Sequence, residues 1–382
     1  MEIKRLKKEN YDELISLLNL VFSKQNKCTM DFEKELPNMC LRDDIHMRKH
    51  VGLFLDNKLV SVVGVYPLPT NVYNSKINFC TVGNVATHPD YEGRGYMNIL
   101  LNSAMEIVKE EKYDACRLGG NRARYLRFGF ELCGRNYSYY ITPNNAKKSL
   151  LLSYGQGTSV CEILPSDEDS LAFARRVYHQ NKVSVLRDDN DTMYRVMTAW
   201  QNTPYLVSKD SVPVGYFTLT PDKKTVSEAY AINKEAYLDT VVAISNYLND
   251  EFSITLFEHD IDLVREMNKC AEYMSIQIPS NFNIVSFERV VDAYIKLKAS
   301  YTALATGCVT ISIKEYGKIK IFANENGCGC TKFDGECDFE LSKSDATRFI
   351  FGMHPSVSVI EPNLFAKANF PLPLSWNTQN RV

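Results

Sequence analysis

Between residues 77 and 108 the spacing of apolar side chains changes from two to about 3.6 across a bend holding two glycines, and no other stretch limits the fold so strongly. Ile77 to Ala86 reads as a strand, and Val85-Ala86-Thr87 delivers the chain to His88-Pro89-Asp90-Tyr91-Glu92-Gly93-Arg94-Gly95. Met97, Leu100, Leu101, Ala104 and Val108 then recur at helical spacing, and Lys109, Glu110 and Glu111 close the polar end. The segment therefore predicts strand, glycine-bearing turn and amphipathic helix within a mixed α/β unit. Gly93 and Gly95 leave backbone N–H groups accessible, and the helix N-terminal dipole reinforces them, which makes a cradle for a pyrophosphate. A Cβ at either position would keep phosphate oxygens away. The turn alone is a weak signal, because loops use glycine freely. The lysine of a nucleoside-triphosphate loop and a Gly-x-Gly-x-x-Gly run are both absent, which disfavours triphosphate and dinucleotide sites.

The remainder supplies partners for that unit. Ile3 to Leu6 reads as a short strand, and Leu14, Leu17, Leu18 and Val21 give one apolar helix face behind an N-cap at Asn10. Val51 to Leu55 and Leu59 to Tyr66 form a hairpin over Asp56-Asn57-Lys58, with Pro67 and Pro69 expected to end its second strand. Ala115 to Leu118 is a strand, Arg122 to Arg127 a short helix, and Phe130 with Tyr137 to Ile141 supplies the closing strands of the unit. Pro143-Asn144-Asn145 through Gly155-Gln156-Gly157 reads as a linker. Beyond it the element order repeats: a helix near Leu171 to Gln180, strands at Tyr205 to Val207, Val214 to Leu219 and Val226 to Ile232, and a helix from Ala236 to Leu248. A strand from Ile254 to Phe257 and a helix from Ile261 to Asn268 follow. This second copy reads Ala231-Ile232-Asn233-Lys234-Glu235 where a phosphate turn belongs, so it is expected to lack the ligand that the first turn would hold. Pro279-Ser280 marks the next break. The tail carries Phe370, Leu372, Leu374 and Trp376, which is apolar for a free terminus, so it is expected to pack back into the protein.

Bulk properties narrow the function. A chain of 382 residues exceeds what one core organises, and 45% hydrophobic with 24% charged residues is globular composition. A net charge of −2 gives no basic field for nucleic acid or an anionic membrane. With no apolar run of about 18 residues and no signal-like N-terminus, a cytoplasmic protein without a membrane partner is expected. The eleven cysteines are odd in number and mostly scattered, which suits reduced thiols. Cys328-Gly329-Cys330 with Cys337 lacks the spacing of a zinc knuckle and reads as a cysteine-bearing hairpin, while His46 and His50 read as solvated side chains, so no metal is expected.

The segment from Val85 to Met97 resembles motif A of the Gcn5-related N-acetyltransferases (GNAT), and Asn121-Arg122-Ala123-Arg124-Tyr125-Leu126-Arg127-Phe128-Gly129-Phe130 resembles that family's motif B. The resemblance implies acetyl-CoA as cosubstrate, with Val85, Ala86 and Thr87 holding the pantetheine arm as an added strand. Amides of Gly93, Arg94, Gly95, Tyr96 and Met97 would bind the pyrophosphate, and the cofactor surface would extend to Gly120 and Asn121. Glu92 stands where the family often has Gln or Arg, and Met97 where it has a small residue. Tyr125 is the candidate general acid: amine attack expels a thiolate, which a phenol of pKa about 10 protonates. Arg94, Arg122 and Arg124 are candidates for neutralising phosphates.

The whole chain resembles the Eis type of GNAT enzyme. That resemblance implies a catalytic GNAT domain at 1–142, a degenerate GNAT-like domain at 143–280, and a sterol-carrier-protein-like domain at 281–382 whose tail reaches the active site. The carboxylate of Val382 would then be the general base. The implied reaction is acetyl transfer to a primary amine of a small polyamine or aminoglycoside-like acceptor, with Asp31, Glu33, Glu35, Asp43 and Asp44 as candidate acidic groups. A homo-oligomer, hexameric by that resemblance, is implied too. The competing expectations are a protein or peptide N-acetyltransferase and a non-catalytic acyl-CoA- or lipid-binding protein.

Overall fold

A computed structural model of the chain describes residues 1–149, 153–352 and 360–380. Among these residues the strands form three mixed sheets flanked by helices. The first runs Glu2–Arg5, His50–Leu55, Lys58–Val72, Ser75–Thr87, Ala115–Leu118, Ser280–Ile284, Glu131–Cys133, with Val183–Val185 added beside Lys58–Val72. Only Ser75–Thr87 and Ala115–Leu118 run parallel in it. The Tyr96–Glu110 helix makes that crossover and buries Leu100, Leu101, Ala104, Ile107 and Val108 against the sheet. Each fully buried leucine there contributes roughly 1.5–3 kcal/mol. The opposite face is covered by the Tyr11–Asn26 helix through Tyr11, Leu14, Leu17 and Leu18. Asn10 stands at that helix's N-cap position, but its side chain accepts from Lys7 N at 3.0 Å instead of capping the helix.

The prolines do not end their strand. Lys58–Val72 continues through Pro67 and Pro69, paired with Cys80 and Asn78 of its neighbour. On the other edge the pairing with His50–Leu55 stops at Gly64, and that with Val183–Val185 starts at Thr70. The missing proline N–H groups therefore fall in the gap between two partners, where no ladder bond is forfeited. Pro69 still uses its carbonyl, which accepts from Leu186 N at 2.8 Å.

The second sheet repeats the first in strand order and direction: Thr158–Glu162, Thr203–Lys209, Val212–Leu219, Thr225–Ala231, Phe252–Leu256, Asn136–Ile141, Tyr273–Gln277. Its single parallel pair is Thr225–Ala231 with Phe252–Leu256, crossed by the Lys234–Leu248 helix. One expectation fails here. Asn136–Ile141 does not close the first sheet but sits in the second, between Phe252–Leu256 and Tyr273–Gln277. Its place in the first sheet is taken by Ser280–Ile284, between Ala115–Leu118 and Glu131–Cys133. The sheets have exchanged a strand across about 140 residues of sequence, a pairing that local alternation does not specify.

The third sheet has four strands, Gly327–Lys332, Gly317–Asn324, Gly307–Ile313 and Phe339–Leu341, packed on the Phe287–Ala299 and Lys343–Phe351 helices. Cys328 and Cys330 lie on the hairpin strand Gly327–Lys332. The same core takes in the tail: Phe370, Leu372, Leu374 and Trp376 are buried, as their apolar character requires. Trp376 packs on Phe79 and Phe282, and Asn136 Nδ2 donates to its carbonyl at 2.8 Å. Where the tail crosses the inter-sheet connection, Arg135 N donates to Leu374 O at 2.8 Å. At Gly134, with φ +86°, an added Cβ would lie 2.8 Å from that same oxygen, so glycine is required there for both backbone angle and space.

Candidate active site

The site begins with an interrupted strand. Ser75–Thr87 pairs with Ala115–Leu118 only from Phe79 to Val82, and then runs on for five residues with that edge open. Its other edge slips in register between Val62 and Gly64, opposite Asn84. Asn84 lies in the left-handed region at φ +52° and is buried. Its Nδ2 donates to Tyr66 Oη at 2.6 Å, and that hydroxyl lies 2.7 Å from His50 Nε2. The three side chains form one buried polar cluster in which an uncharged ring suffices. Burial agrees with a neutral ring, pushing its pKa down to about 4. His50 is thus a core residue holding a bulge, not the solvated histidine expected, while His46 stays half-buried beside Asp43. The bulge turns the last residues of the strand so that Val85 and Thr87 face a cleft while Ala86 is buried on the other side.

That cleft has a volume of about 710 Å³ and follows the strand end into the bend and the helix. Gly93, Gly95, Tyr96 and Met97 line it. Gly93 and Gly95 have φ of +76° and +81°, and a Cβ on either would meet no protein atom within 4 Å. Protein crowding therefore does not demand glycine at this bend. Backbone angle and open access for another molecule do. Gly95 is the N-cap of the helix, and Asn98 N and Ile99 N both donate to its carbonyl, which leaves the amides ahead of them facing outward.

Cations also line the cleft. Lys24 comes from the first helix, and Arg124 and Arg127 from the turn after Ala115–Leu118. Arg127 also donates to Asn98 in the first turn of the helix. Lys24, Gln25, Asn98 and Arg127 were not singled out in the sequence, where nothing separates them from ordinary surface residues. The other expected arginines go elsewhere. Arg122 forms a two-pronged pair with buried Glu131, Nη2 to Oε2 at 2.7 Å, and Arg94 donates to Asp90 O and lies over the Tyr91 ring. Glu92 lines the cleft and brings one negative charge to it.

Tyr125 ends the Arg122–Tyr125 helical turn and is 6% exposed; it does not line the cleft, although Arg124 and Arg127 on either side do. Gly120, at φ +110°, would carry a Cβ 3.1 Å from the phenol ring, so its bareness makes room for that ring. Asn121 caps the turn, accepting from Ala123 N at 2.9 Å. The exchanged strand braces this loop: Ser280 Oγ donates to Leu118 O at 2.9 Å, and Asn281 Nδ2 donates to Gly120 O at 2.9 Å. Val382 lies outside the described residues. The tail before it is anchored, with Asn380 Oδ1 accepting from Arg187 Nη2 at 3.0 Å and Gln379 accepting from Asn202 at 2.8 Å.

The acidic candidates near the N-terminus are already engaged. Asp31 pairs with Lys34, Glu33 accepts from Tyr11, buried Glu35 accepts from Gln201, Asp43 holds His46 and Asp44 accepts from Lys8 N.

Residues 2–133, which hold this cleft, match the family model of the acetyltransferase (GNAT) domain. The first third of this chain is a GNAT acetyltransferase domain. That family implies an acyl-CoA cosubstrate. No curated protein matches the sequence. Solved structures match along most of its length. It is similar to a probable N-acyltransferase from Enterococcus faecalis, at 16% identity and a TM-score of 0.63, covering 91% of this chain and 88% of that one. A GCN5-related N-acetyltransferase from Anabaena variabilis matches at 14% identity and a TM-score of 0.63, covering 91% and 89%. Eis1 from Mycobacterium abscessus matches at 14% identity and a TM-score of 0.61, covering 91% and 88%. At these identities the likeness is one of fold, and the three-sheet arrangement is that of the Eis-like GNAT fold. No helix among the described residues is long and apolar enough to cross a membrane.

Proposed function

We propose that the protein is a GNAT-type N-acyltransferase that uses acetyl-CoA and transfers its acetyl group to a primary amine of a small acceptor, with Tyr125 as general acid and the carboxylate of Val382 as general base. The observation that carries the reading is the bend at Gly93 and Gly95. Two left-handed glycines with nothing above them open onto a cleft that Lys24, Arg124 and Arg127 also line. Backbone donors and a helix N-terminus in one cleft with cations suit a diphosphate. The open edge beyond Val82 gives an amide-bearing arm, such as pantetheine, a strand to pair with.

In this reading the nitrogen attacks the thioester carbonyl, the C–S bond breaks, and the sulfur takes a proton from the Tyr125 phenol. The proton lost by the amine passes to the terminal carboxylate. Burial of Phe370 to Trp376 supports a tail held in place, and the anchors at Gln379 and Asn380 leave two residues to reach its end.

Thiol release from acetyl-CoA, measured against a panel of small amines and peptides, tests the reading. Turnover with a small amine is expected. Tyr125→Phe and deletion of Arg381 and Val382 should each lower kcat at least tenfold and leave coenzyme A affinity as it is. Turnover confined to peptides, coenzyme A binding without turnover, or full activity in either variant would overturn it.

A further inference from the structure

The second sheet has kept the splay of the first. Thr225–Ala231 and Phe252–Leu256 run parallel, pair at Thr225 with Ser253 and Val226 with Ile254, and then diverge. A cavity of about 120 Å³ opens between them, lined in part by Glu228, Tyr230, Tyr237, Phe257, Asp260 and Asn377. It cannot serve as the first cleft does. The turn at Ile232-Asn233-Lys234 has no glycine, and Asn233 Oδ1 already accepts the first-turn donor Ala236 N at 2.8 Å. At about 30 Å³ per water it has room for roughly four waters or one small organic group.

Its lining has an unmet need. Tyr237 is 3% exposed, and its hydroxyl has no hydrogen-bond partner among the described residues. A buried polar group left so costs about 1–3 kcal/mol, which a ligand or water would remove. The charges are unequal as well. Glu228 is neutralised by Arg187, which grips both its oxygens at 2.8 and 2.7 Å, and it accepts from Tyr216 and Asn377 too. Asp260 has no such partner. The nearest basic group to it among the described residues is His259 Nε2 at 3.9 Å, on a ring that burial keeps neutral, while Lys234, which also lines the cavity, has Glu235 at 3.8 Å. A carboxylate without a close cation, beside the rings of Tyr230, Tyr237 and Phe257, is the surface that recognises an ammonium group.

We propose that the cleft between Thr225–Ala231 and Phe252–Leu256 is a second small-molecule site that takes a compound bearing a protonated aliphatic amine, with Asp260 as counter-ion and the Tyr237 hydroxyl as a hydrogen-bond partner. This stands apart from acetyl transfer at the first cleft, because it uses none of that cleft's residues.

The test is calorimetric titration of the full chain, free of coenzyme A, with 1,4-diaminobutane, and then with inorganic phosphate. Asp260→Asn should weaken diamine binding at least tenfold, and Tyr237→Phe several-fold, at one of the sites seen with the parent. Melting temperatures separate binding from folding: Tyr237→Phe, which loses a hydroxyl with no partner, should melt no lower than the parent. Diamine binding unchanged in both variants would place the amine only at the transfer site and overturn the proposal. Phosphate binding that the variants alter, or a Tyr237→Phe chain that melts markedly lower, would overturn it as well.

Discussion

Replacing Gly95 with alanine separates what the bend does for the fold from what it does for the ligand. At φ +81° alanine bears left-handed strain of about 1–2 kcal/mol. No protein atom lies within 4 Å of the new methyl group, so no clash adds to that figure. The ligand meets a different cost. The methyl group stands over amides that would face phosphate oxygens, and each hydrogen bond to a charged group that is lost costs about 1.5–3 kcal/mol. The loss of one such bond weakens coenzyme A by roughly 10- to 100-fold at 1.4 kcal/mol per decade. Calorimetric titration with coenzyme A gives that loss, and urea unfolding of the same sample gives the strain. Gly95→Asn serves as control, since asparagine tolerates the left-handed region. It should recover stability but not affinity. If Gly95→Ala binds coenzyme A within twofold of the parent while unfolding more easily, the glycine serves the fold alone and the diphosphate lies elsewhere.

Three more outcomes follow from the described geometry. His50 has an ordinary pKa of 6.5 and a folded value of about 4, so the unfolded chain takes up its proton first on acidification. The stability it contributes is complete above pH 6.5 and is lost as pH falls toward 4, by about 3 kcal/mol at 1.36 kcal/mol per pKa unit; urea unfolding at pH 7 and 4.5 should show a smaller difference in His50→Gln than in the parent. Glu92→Gln removes a negative charge from the cleft and should tighten coenzyme A about two- to fivefold at low salt, with the gain shrinking as salt screens the site. Arg187→Met strands a carboxylate that is 3% exposed and should cost about 3–5 kcal/mol in urea unfolding, with part of that recovered when Glu228→Gln is added.

Much of the candidate cleft was legible because its sequence signal is local. A strand end, two glycines and a helix within a dozen residues define the bend, and the paired sequence segments at 85–97 and 121–130 mark its two sides. The second copy was readable from element order, for the same reason. Three features were not. The strand exchange depends on pairing between residues 116 and 283, and an alternating apolar pattern states a face but not a neighbour. Asn84 reads as one polar residue in an apolar strand, and its left-handed conformation becomes intelligible only once Tyr66 and His50 are placed beside it. Lys24 and Arg127 carry no local pattern that separates them from Arg94 and Arg122, which the fold directs to other partners. Pro67 and Pro69 were misleading for a related reason: whether proline ends a strand depends on which edge its nitrogen faces.

The exchanged strand also orders events during synthesis. Tyr125 and the glycine bend leave the ribosome early, yet the strand that braces their loop, Ser280–Ile284, has not then been made. Until residue 284 of 382 is translated, the first sheet stops at Ala115–Leu118, and Glu131–Cys133 has no strand to pair with. The first sheet is therefore completed late, and a protease-resistant chain that ends before residue 280 is not expected on the way to it.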